Sequence, residues 1–352
     1  LTAEQSQIEP IKAALIGCGA VAMRGLIPGW LPLTNPNRPQ PVSFLNFGYA
    51  SGLIFTAICD NDPENLTRTQ EILPEAAPFR SWPELRSTIT DLQAVIISTP
   101  IFLHEEMVLD AVDLGCDVFV EKPLALTHEG LDRVANAASN SGRIVMVHLP
   151  WSFSPAAHEI FGAVREGCLG EIKTFKAEFR HSGPKAWSPG AEWYYGDGNP
   201  GGAWTDLGSH VLDLLCKVMP SKEIRTFRCR PKIIHRWVER AECQVVFKDN
   251  CTATLIVGWD SDTPVFRLNL VGTQGQLNAE LIGPGRVECI TKERCTRADR
   301  CLKTIDVLSP FAHFVSCVRT RVVPETGVPR VLTSERLVVE GLRQLLYLQS
   351  YG

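Results

Sequence analysis

Five short apolar runs recur through the first 148 residues, at Lys12–Ile16, Leu53–Cys59, Ala94–Ser98, Asp117–Glu121 and Arg143–His148. Each is rich in β-branched residues and apolar on both faces, as expected of strands buried in a parallel sheet. Stretches with helical spacing lie between them: Ala20–Trp30, Pro63–Leu73, His104–Leu114 and Thr127–Ser141. Asp62 followed by Pro63 is a good helix start. Strand and helix alternating at this spacing predict an α/β domain built on a doubly wound parallel sheet.

The pattern changes after Pro150. A helix is expected at Pro155–Gly167, and then period-2 alternation takes over at Glu171–His181, Thr226–His235, Glu242–Phe247, Thr252–Trp259 and Val265–Val271. Few helical stretches separate these runs, which predicts a large, mostly antiparallel open sheet in an α+β domain. Helical spacing returns at Thr205–Val218, Pro310–Arg321 and Ser334–Leu348. Two domains follow: residues 1–148, an α/β half of nucleotide-binding type, and residues 149–352, an α+β half. The open sheet has an apolar side to cover, so a homodimer or homotetramer is expected.

A length of 352 residues agrees with two domains. The net charge of −4, with no basic or acidic tail, argues against a protein that grips nucleic acid. No apolar run reaches the ~18 residues of a membrane span. The first residues, LTAEQSQIEPIK, show no basic start leading into an apolar segment, so a cytoplasmic chain is expected. The 12 cysteines include no C-x-x-C pair. Most, such as Cys18, Cys59, Cys116 and Cys216, sit in apolar strings and read as reduced core thiols. Cys289, Cys295 and Cys301 recur at regular spacing, but no His or carboxylate completes a ligand set, so no metal is expected.

The first strand runs into Gly17-Cys18-Gly19-Ala20-Val21-Ala22, a G-x-G-x-x-A turn. The two glycines permit a tight turn and close backbone approach to a pyrophosphate; the small third residue lets helix and strand pack closely. The second strand ends at Asp60, where a carboxylate can take both ribose hydroxyls of NAD and repel the 2′-phosphate of NADP. Asp60 comes later than the ~20 residues expected, because Leu31–Gly52, rich in Pro, Asn and Gly, reads as an insertion. The bland alternative for Asp60 is a solvated strand-end residue.

The fourth strand ends in Glu121-Lys122-Pro123, at the edge of a parallel sheet where ligands bind. Partial burial there would lower the lysine's pKa and suit it to proton transfer; otherwise it is a surface-loop lysine. Further on, Gly201-Gly202-Ala203-Trp204-Thr205-Asp206-Leu207-Gly208-Ser209-His210 leads to Asp213. On a helix Asp206 and His210 share one face, so the carboxylate can orient the imidazole for acid–base work. The alternative makes Asp206 a helix cap beside a merely polar histidine. Trp187, Trp193 and Tyr194 lie on the segment between the motifs, where aromatic faces among polar groups suit a sugar or polyol ring. Packing within a loop core or a subunit interface is the other reading. His148, at the end of the fifth strand, is placed to approach the crevice.

These motifs, with Ser98-Thr99-Pro100 before a helix, resemble the glucose–fructose oxidoreductase/inositol dehydrogenase (Gfo/Idh/MocA) family in order and spacing over nearly the whole chain. The resemblance implies a Rossmann domain over residues 1–148 and a substrate-binding and oligomerisation domain with a large open sheet over residues 149–352, whose C-terminal helix is able to pack back on the first. It also implies bound NAD or NADP, and oxidation or reduction at a sugar or cyclitol carbon. It implies Lys122, Asp206 and His210 as the catalytic set. It places Gly17, Cys18, Gly19, Ala20, Val21, Ala22, Asp60, Ser98, Thr99, Pro100, His104, Glu121 and Lys122 at the cofactor. Three positions depart from the pattern. Ile101 replaces an Asn, Pro150-Trp151-Ser152-Phe153 replaces Asn-x-Arg-Phe, and Ala203 replaces a Gly.

An NAD-dependent oxidoreductase acting on a secondary alcohol of a sugar, cyclitol or glycoside is therefore expected, with NADP the lesser cofactor. Lys122, Trp151, Trp187, Trp193, Tyr194, Asp206 and His210 are the expected substrate contacts. The roles of Lys122 and His210 in proton transfer are exchangeable at this level. Two rivals keep the fold: a glycosidase using transient oxidation, and a dinucleotide-binding regulator without turnover.

Overall fold

The protein is described here by a computed structural model covering residues 9–27, 52–186, 188, 192–195, 199–234, 237–282, 285–291, 295–296 and 310–349. The chain divides into two compact units. The first gathers residues 1–124, 132–148 and 308–330; the second gathers 125–131, 149–307 and 331–352.

The first unit is built on six parallel strands: β1 (Ile11–Ile16), β2 (Leu53–Cys59), β3 (Ala77–Phe79), β4 (Ala94–Ile97), β5 (Asp117–Glu121) and β6 (Val145–His148). Their spatial order, β3-β2-β1-β4-β5-β6, is the Rossmann order. β4, β5 and β6 are buried along their whole length, which explains why they read as continuous apolar runs. The helix Pro63–Ile72 begins as expected, with the Asp62 side chain accepting the Glu64 N–H and Pro63 in the first turn. The chain after the glycine turn is wound as a π-helix over Ala22–Leu26. Two elements carry no sequence expectation, β3 and the helix Trp82–Thr88. Both are too short to show a period. The Leu31–Gly52 insertion lies outside the described residues apart from Gly52.

Helix Pro310–Thr320 also belongs to the first unit. Its Phe311 stacks on Phe119 of β5 at 4.6 Å between ring centres, and Phe314 meets the same ring edge-on. Arg321, just beyond, reaches the buried Asp117 at 2.7 Å.

The second unit carries β7 (Ile172–Arg180), β8 (Ile224–Ile234), β9 (Trp237–Phe247), β10 (Thr252–Gly258), β11 (Val265–Gly272), β12 (Gly275–Glu280), β13 (Arg286–Thr291) and β14 (Cys295–Thr296). They form one eight-stranded sheet in the order β14-β13-β12-β11-β7-β10-β9-β8. Every pairing is antiparallel except β10 with β7. The alternation sends Phe175, Ala177 and Phe179 of β7, with Leu255 and Val257 of β10, to a buried face. Helix Ala203–Val218 packs against β7, β9 and β10, so the chain covers its own apolar side.

Two expectations need correction here. The sheet leaves no apolar face open along β7, β11, β12 and β13. The other face instead carries Lys176, Glu178, Arg267, Asn278, Glu280, Arg286 and Glu288 around a concavity of about 460 Å³. Strict alternation is the reason, since apolar residues sorted to one side leave only polar ones for the other. Nor are all the cysteines reduced. Cys229 and Cys243 face each other across the β8–β9 register, with Cα atoms 4.1 Å apart, and are joined as a disulfide. Cys18, Cys59, Cys116, Cys168, Cys216, Cys251, Cys289 and Cys317 are free thiols, and burial pushes those of Cys18, Cys59 and Cys216 up to about 12. No described helix is long and apolar enough to cross a membrane.

Candidate active site

In the first unit the expected cofactor residues gather at the carboxyl ends of β1, β2, β4 and β5. Gly17 closes the first strand with φ +86°, and a Cβ there would lie 2.4 Å from the Ser98 carbonyl oxygen, so only glycine fits. A Cβ on Gly19 would meet nothing within 4 Å. That is the open backbone cradle a pyrophosphate needs. The Ser98 hydroxyl is buried with no hydrogen-bond partner among the described residues. Asp60 accepts the Cys18 backbone N–H at 2.7 Å and the Asp62 N–H at 2.8 Å, so its carboxylate braces the glycine turn.

His104 is fully buried, with Nδ1 2.8 Å from the Pro123 carbonyl and Nε2 2.9 Å from the Thr99 carbonyl. It thereby ties the Ser98-Thr99-Pro100 turn to the Lys122–Pro123 peptide, which is cis. Burial holds the ring below the usual imidazole range, with the two carbonyls acting the other way. Glu121 and Lys122 part company. Lys122 is half-buried, whereas the Glu121 carboxylate is buried and meets His148 Nδ1 at 2.5 Å. Burial pushes that carboxyl up, but His148 and then Lys122 outweigh it and hold Glu121 below the usual carboxylate range.

In the second unit helix Ala203–Val218 presents Asp206 and His210 one turn apart, both about 6% exposed. The residue ahead of the helix is Gly202 at φ +52°, where a Cβ would lie 2.5 Å from the Val238 carbonyl oxygen. Asp206 is therefore not the cap; it lies in the first turn. The buried Asn199 side chain donates to the Tyr194 and Gly202 carbonyls and accepts from the Thr205 hydroxyl, which fixes the entry to the helix.

Asp206 Oδ2 accepts the indole N–H of Trp259 at 3.0 Å, and His181 Nε2 lies 3.6 Å away. His181 Nδ1 accepts the Gly183 N–H at 2.9 Å, so the proton of a neutral ring sits on Nε2, facing the carboxylate. Beneath, Phe179 lies 5.8 Å from the His210 ring and stacks on Phe266 at 4.3 Å. Trp151 packs edge-on to both phenyl rings and is buried. Tyr194 is buried and stacked on the half-exposed Trp193 at 3.9 Å. Trp187 lies outside the described residues. Tyr195, which continues the Trp193-Tyr194 stretch but is not among the expected substrate contacts, joins Trp237 and Trp259 in a second aromatic cluster.

A model described as the oxidoreductase family with NAD-binding Rossmann fold matches residues 11–149, and one for the GFO/IDH/MocA C-terminal domain matches residues 158–278. The chain belongs to the Gfo/Idh/MocA family. It is 28% identical over 149 residues to scyllo-inositol 2-dehydrogenase (NADP(+)) of Bacillus subtilis, covering 42% of this chain and 41% of that one. It is 24% identical over 213 residues to D-glucoside 3-dehydrogenase of Escherichia coli, covering 60% and 54%. The chain thus matches about half the length of these curated relatives, or less. Among solved structures, the WlbA dehydrogenase of Bordetella pertussis in complex with NADH and UDP-GlcNAcA superposes with a TM-score of 0.78 at 19% identity, over 96% of this chain and 95% of that one.

Against the Gfo/Idh/MocA pattern, the three departures have structural counterparts. Ile101 is buried. Ser152, in place of the family's Arg, hydrogen-bonds Asp213, and the positive charge beside that carboxylate comes from Lys217, 3.1 Å from Asp213 and 2.8 Å from Ser152. Ala203 opens the helix fully buried. The open cradle at Gly19, the orphaned Ser98 hydroxyl and the Asp60 carboxylate fit a dinucleotide. Elsewhere Glu171, Asp249 and Cys251 converge within metal-ligand reach. The Lys222 ammonium already sits among them, bonded to Asp249 and 3.0 Å from the Cys251 sulfur, and it lowers the Asp249 carboxyl to about 2.

Proposed function

We propose that the chain is an NAD-dependent oxidoreductase acting at a secondary alcohol or ketone carbon of a sugar, cyclitol or glycoside. The observation that carries this is the buried Asp206–His210 face, with Asp206 engaged by Trp259 and His181, in a chain whose other unit bears an open glycine cradle. The curated relatives named for inositol and glucoside substrates support the class.

The cofactor would rest on Gly17 to Ala22, Asp60, Ser98 to Pro100 and Glu121, with Asp60 favouring NAD through its charge. When bound, its nicotinamide takes up or supplies the hydride. The chain's own residues handle the proton. In the oxidation direction His210 receives it from the hydroxyl, and Asp206 one turn earlier favours the charged ring. Lys122 hydrogen-bonds the reacting oxygen and stabilises its developing charge. Trp193 offers a partly exposed ring to the substrate with Tyr194 stacked on it, while Trp151 backs the site through Phe179 and Phe266. Cofactor binding belongs to residues 1–148, and substrate binding and self-association to residues 149–352. The self-association surface is the charged face of the eight-stranded sheet, and its partner is a second copy of the chain.

The test is a screen of purified protein with NAD and NADP against polyols, cyclitols, free sugars and glycosides, following reduced cofactor. Stoichiometric NADH with one substrate class supports the reading. Substrate cleavage without net NADH assigns a glycosidase working by transient oxidation. Cofactor binding with no turnover of any kind leaves a regulator and overturns the enzyme.

A further inference from the structure

The adenosine end of the dinucleotide site holds a second charge that the motifs do not include. β2 and β3 are parallel neighbours, paired Ala57 with Ala77, Ile58 with Pro78 and Cys59 with Phe79. The next step of that register sets Asp60 beside Arg80, and the Asp60 N–H donates to the Phe79 carbonyl at 3.2 Å. Adjacent strands lie ~4.8 Å apart, so the two strand-end residues are immediate neighbours. The Arg80 side chain is exposed, and its Nη2 donates to the Asn61 carbonyl at 3.0 Å. That bond holds the guanidinium over the loop just past Asp60. It occupies one of five N–H donors and leaves the others for a ligand.

Charge decides what such an arrangement admits. Asp60 alone accepts a ribose diol and repels a 2′-phosphate, while an arginine nearby accommodates that phosphate. Guanidinium also matches phosphate with paired, charge-assisted hydrogen bonds. Two further acids stand close by, Asp62 and Glu84, and the Asp62 carboxylate is engaged as the cap of helix Pro63–Ile72, accepting the Glu64 N–H at 2.9 Å. Glu84 Oε2 accepts the Arg80 backbone N–H at 3.3 Å, and the Glu84 N–H is capped by Ser81, so that carboxylate is engaged at the start of helix Trp82–Thr88.

We propose that Arg80 admits a 2′-phosphate at the adenosine end of the site, so that the chain binds NADP alongside NAD despite Asp60. This rests on the dinucleotide reading of the glycine turn. It makes discrimination the balance of two side chains on neighbouring strands, Asp60 for the diol and Arg80 for the phosphate.

Calorimetric titration of the full chain with NAD, NADP, 5′-AMP and adenosine 2′,5′-bisphosphate tests the balance without any substrate. Wild type should bind NADP and the bisphosphate within about tenfold of NAD and 5′-AMP, the preference that Asp60 leaves to the diol. Arg80→Gln should weaken NADP and the bisphosphate about tenfold, one charge-assisted contact, while NAD and 5′-AMP stay within about twofold. Arg80→Lys should fall between, and Asp60→Asn should favour the two 2′-phosphates. Wild type that binds NAD and excludes NADP overturns the proposal, as does an Arg80→Gln that weakens all four ligands equally or none. A folded wild type that binds none of the four overturns the dinucleotide reading itself.

Discussion

At the scale of single residues, the division of labour is testable first. His210 lies in the second unit and the glycine cradle in the first, so His210→Ala should leave NAD binding nearly unchanged. Turnover should fall ~10²–10⁴-fold, the usual loss for a positioned acid–base group. Trp259→Phe keeps a ring but removes the N–H held by Asp206, so it should shift the pH profile of kcat more than KM. A His210→Ala variant with full turnover and an unchanged pH profile would transfer the proton-handling role to Lys122. Single residues were also where the sequence was least legible. Glu121 and Asp206 stand out within motifs, but their partners His148, His181 and Trp259 come from distant segments. Those pairings exist only once strand register is set, and no local spacing announces them. The Cys229–Cys243 bond is a further case, because each thiol alone looks like an ordinary core cysteine.

The Glu121–His148 pair predicts a pH dependence of stability. Glu121 has a folded pKa below its unfolded value, so its contribution is present at neutral pH and is lost as pH falls through the depressed folded value. His148→Ala leaves a buried carboxylate without its hydrogen-bond partner, which should cost about 3 kcal/mol at pH 7. Burial then raises Glu121, so the variant folds with that group protonated. The gap to wild type should therefore narrow as pH falls from 7 towards the ordinary carboxyl value of about 4, because the variant then takes up a proton on folding, and further below it as wild type loses its own contribution. Urea melts at pH 7 and pH 4 measure both gaps, and equal gaps would show that the pair does not set stability.

Elements were easier to read than partners. Long apolar runs gave β1, β2, β4 and β5 nearly to the residue, because burial on both faces leaves no other composition open to them. β9 begins at Trp237, earlier than the Glu242 expected, since its first residues mix charge with apolar side chains. β12 alternates too, but its outward residues are Gln276, Asn278 and Glu280 and its inward ones small or single, so the period is faint. Helix Ala203–Val218 was placed correctly by its apolar spacing, yet its true start was hidden in backbone geometry. Gly202 adopts φ +52° and ψ −127°, a region essentially closed to side chains. Gly202→Ala should therefore destabilise by about 2–3 kcal/mol, strain plus the clash with Val238, and lower the thermal midpoint seen by circular dichroism. Gly19→Ala is the contrasting variant. A Cβ there meets nothing in the protein, so the fold should hold while dinucleotide affinity falls. Loss of stability at Gly19 and tolerance at Gly202 would reverse the assignment of which glycine serves the fold and which serves the ligand.

For the whole molecule, the two-part architecture follows from a change of period along the chain, while the character of its free surface does not. Alternation alone says that one side of a sheet differs from the other, and only the packing of helix Ala203–Val218 shows which side is spent inside the chain. What remains along β7, β11, β12 and β13 is a field of both signs, with Lys176, Arg267 and Arg286 beside Glu178, Glu280 and Glu288. A surface bearing both signs can complement a copy of itself about a two-fold axis, each cation meeting the partner's anion. Self-association through this face should therefore be electrostatic. Ion pairs at an exposed rim are screened within about 8 Å at physiological salt, so dimers should weaken as salt rises from 0.05 to about 0.5 M. An apolar interface would hold or tighten under the same change. Arg267→Glu places a like charge among Glu178 and Glu280 and should shift sedimentation toward monomer. Glu280→Arg in the same chain exchanges the charges and should restore the dimer. Association that strengthens with salt and ignores both substitutions would move the interface to another surface of the molecule.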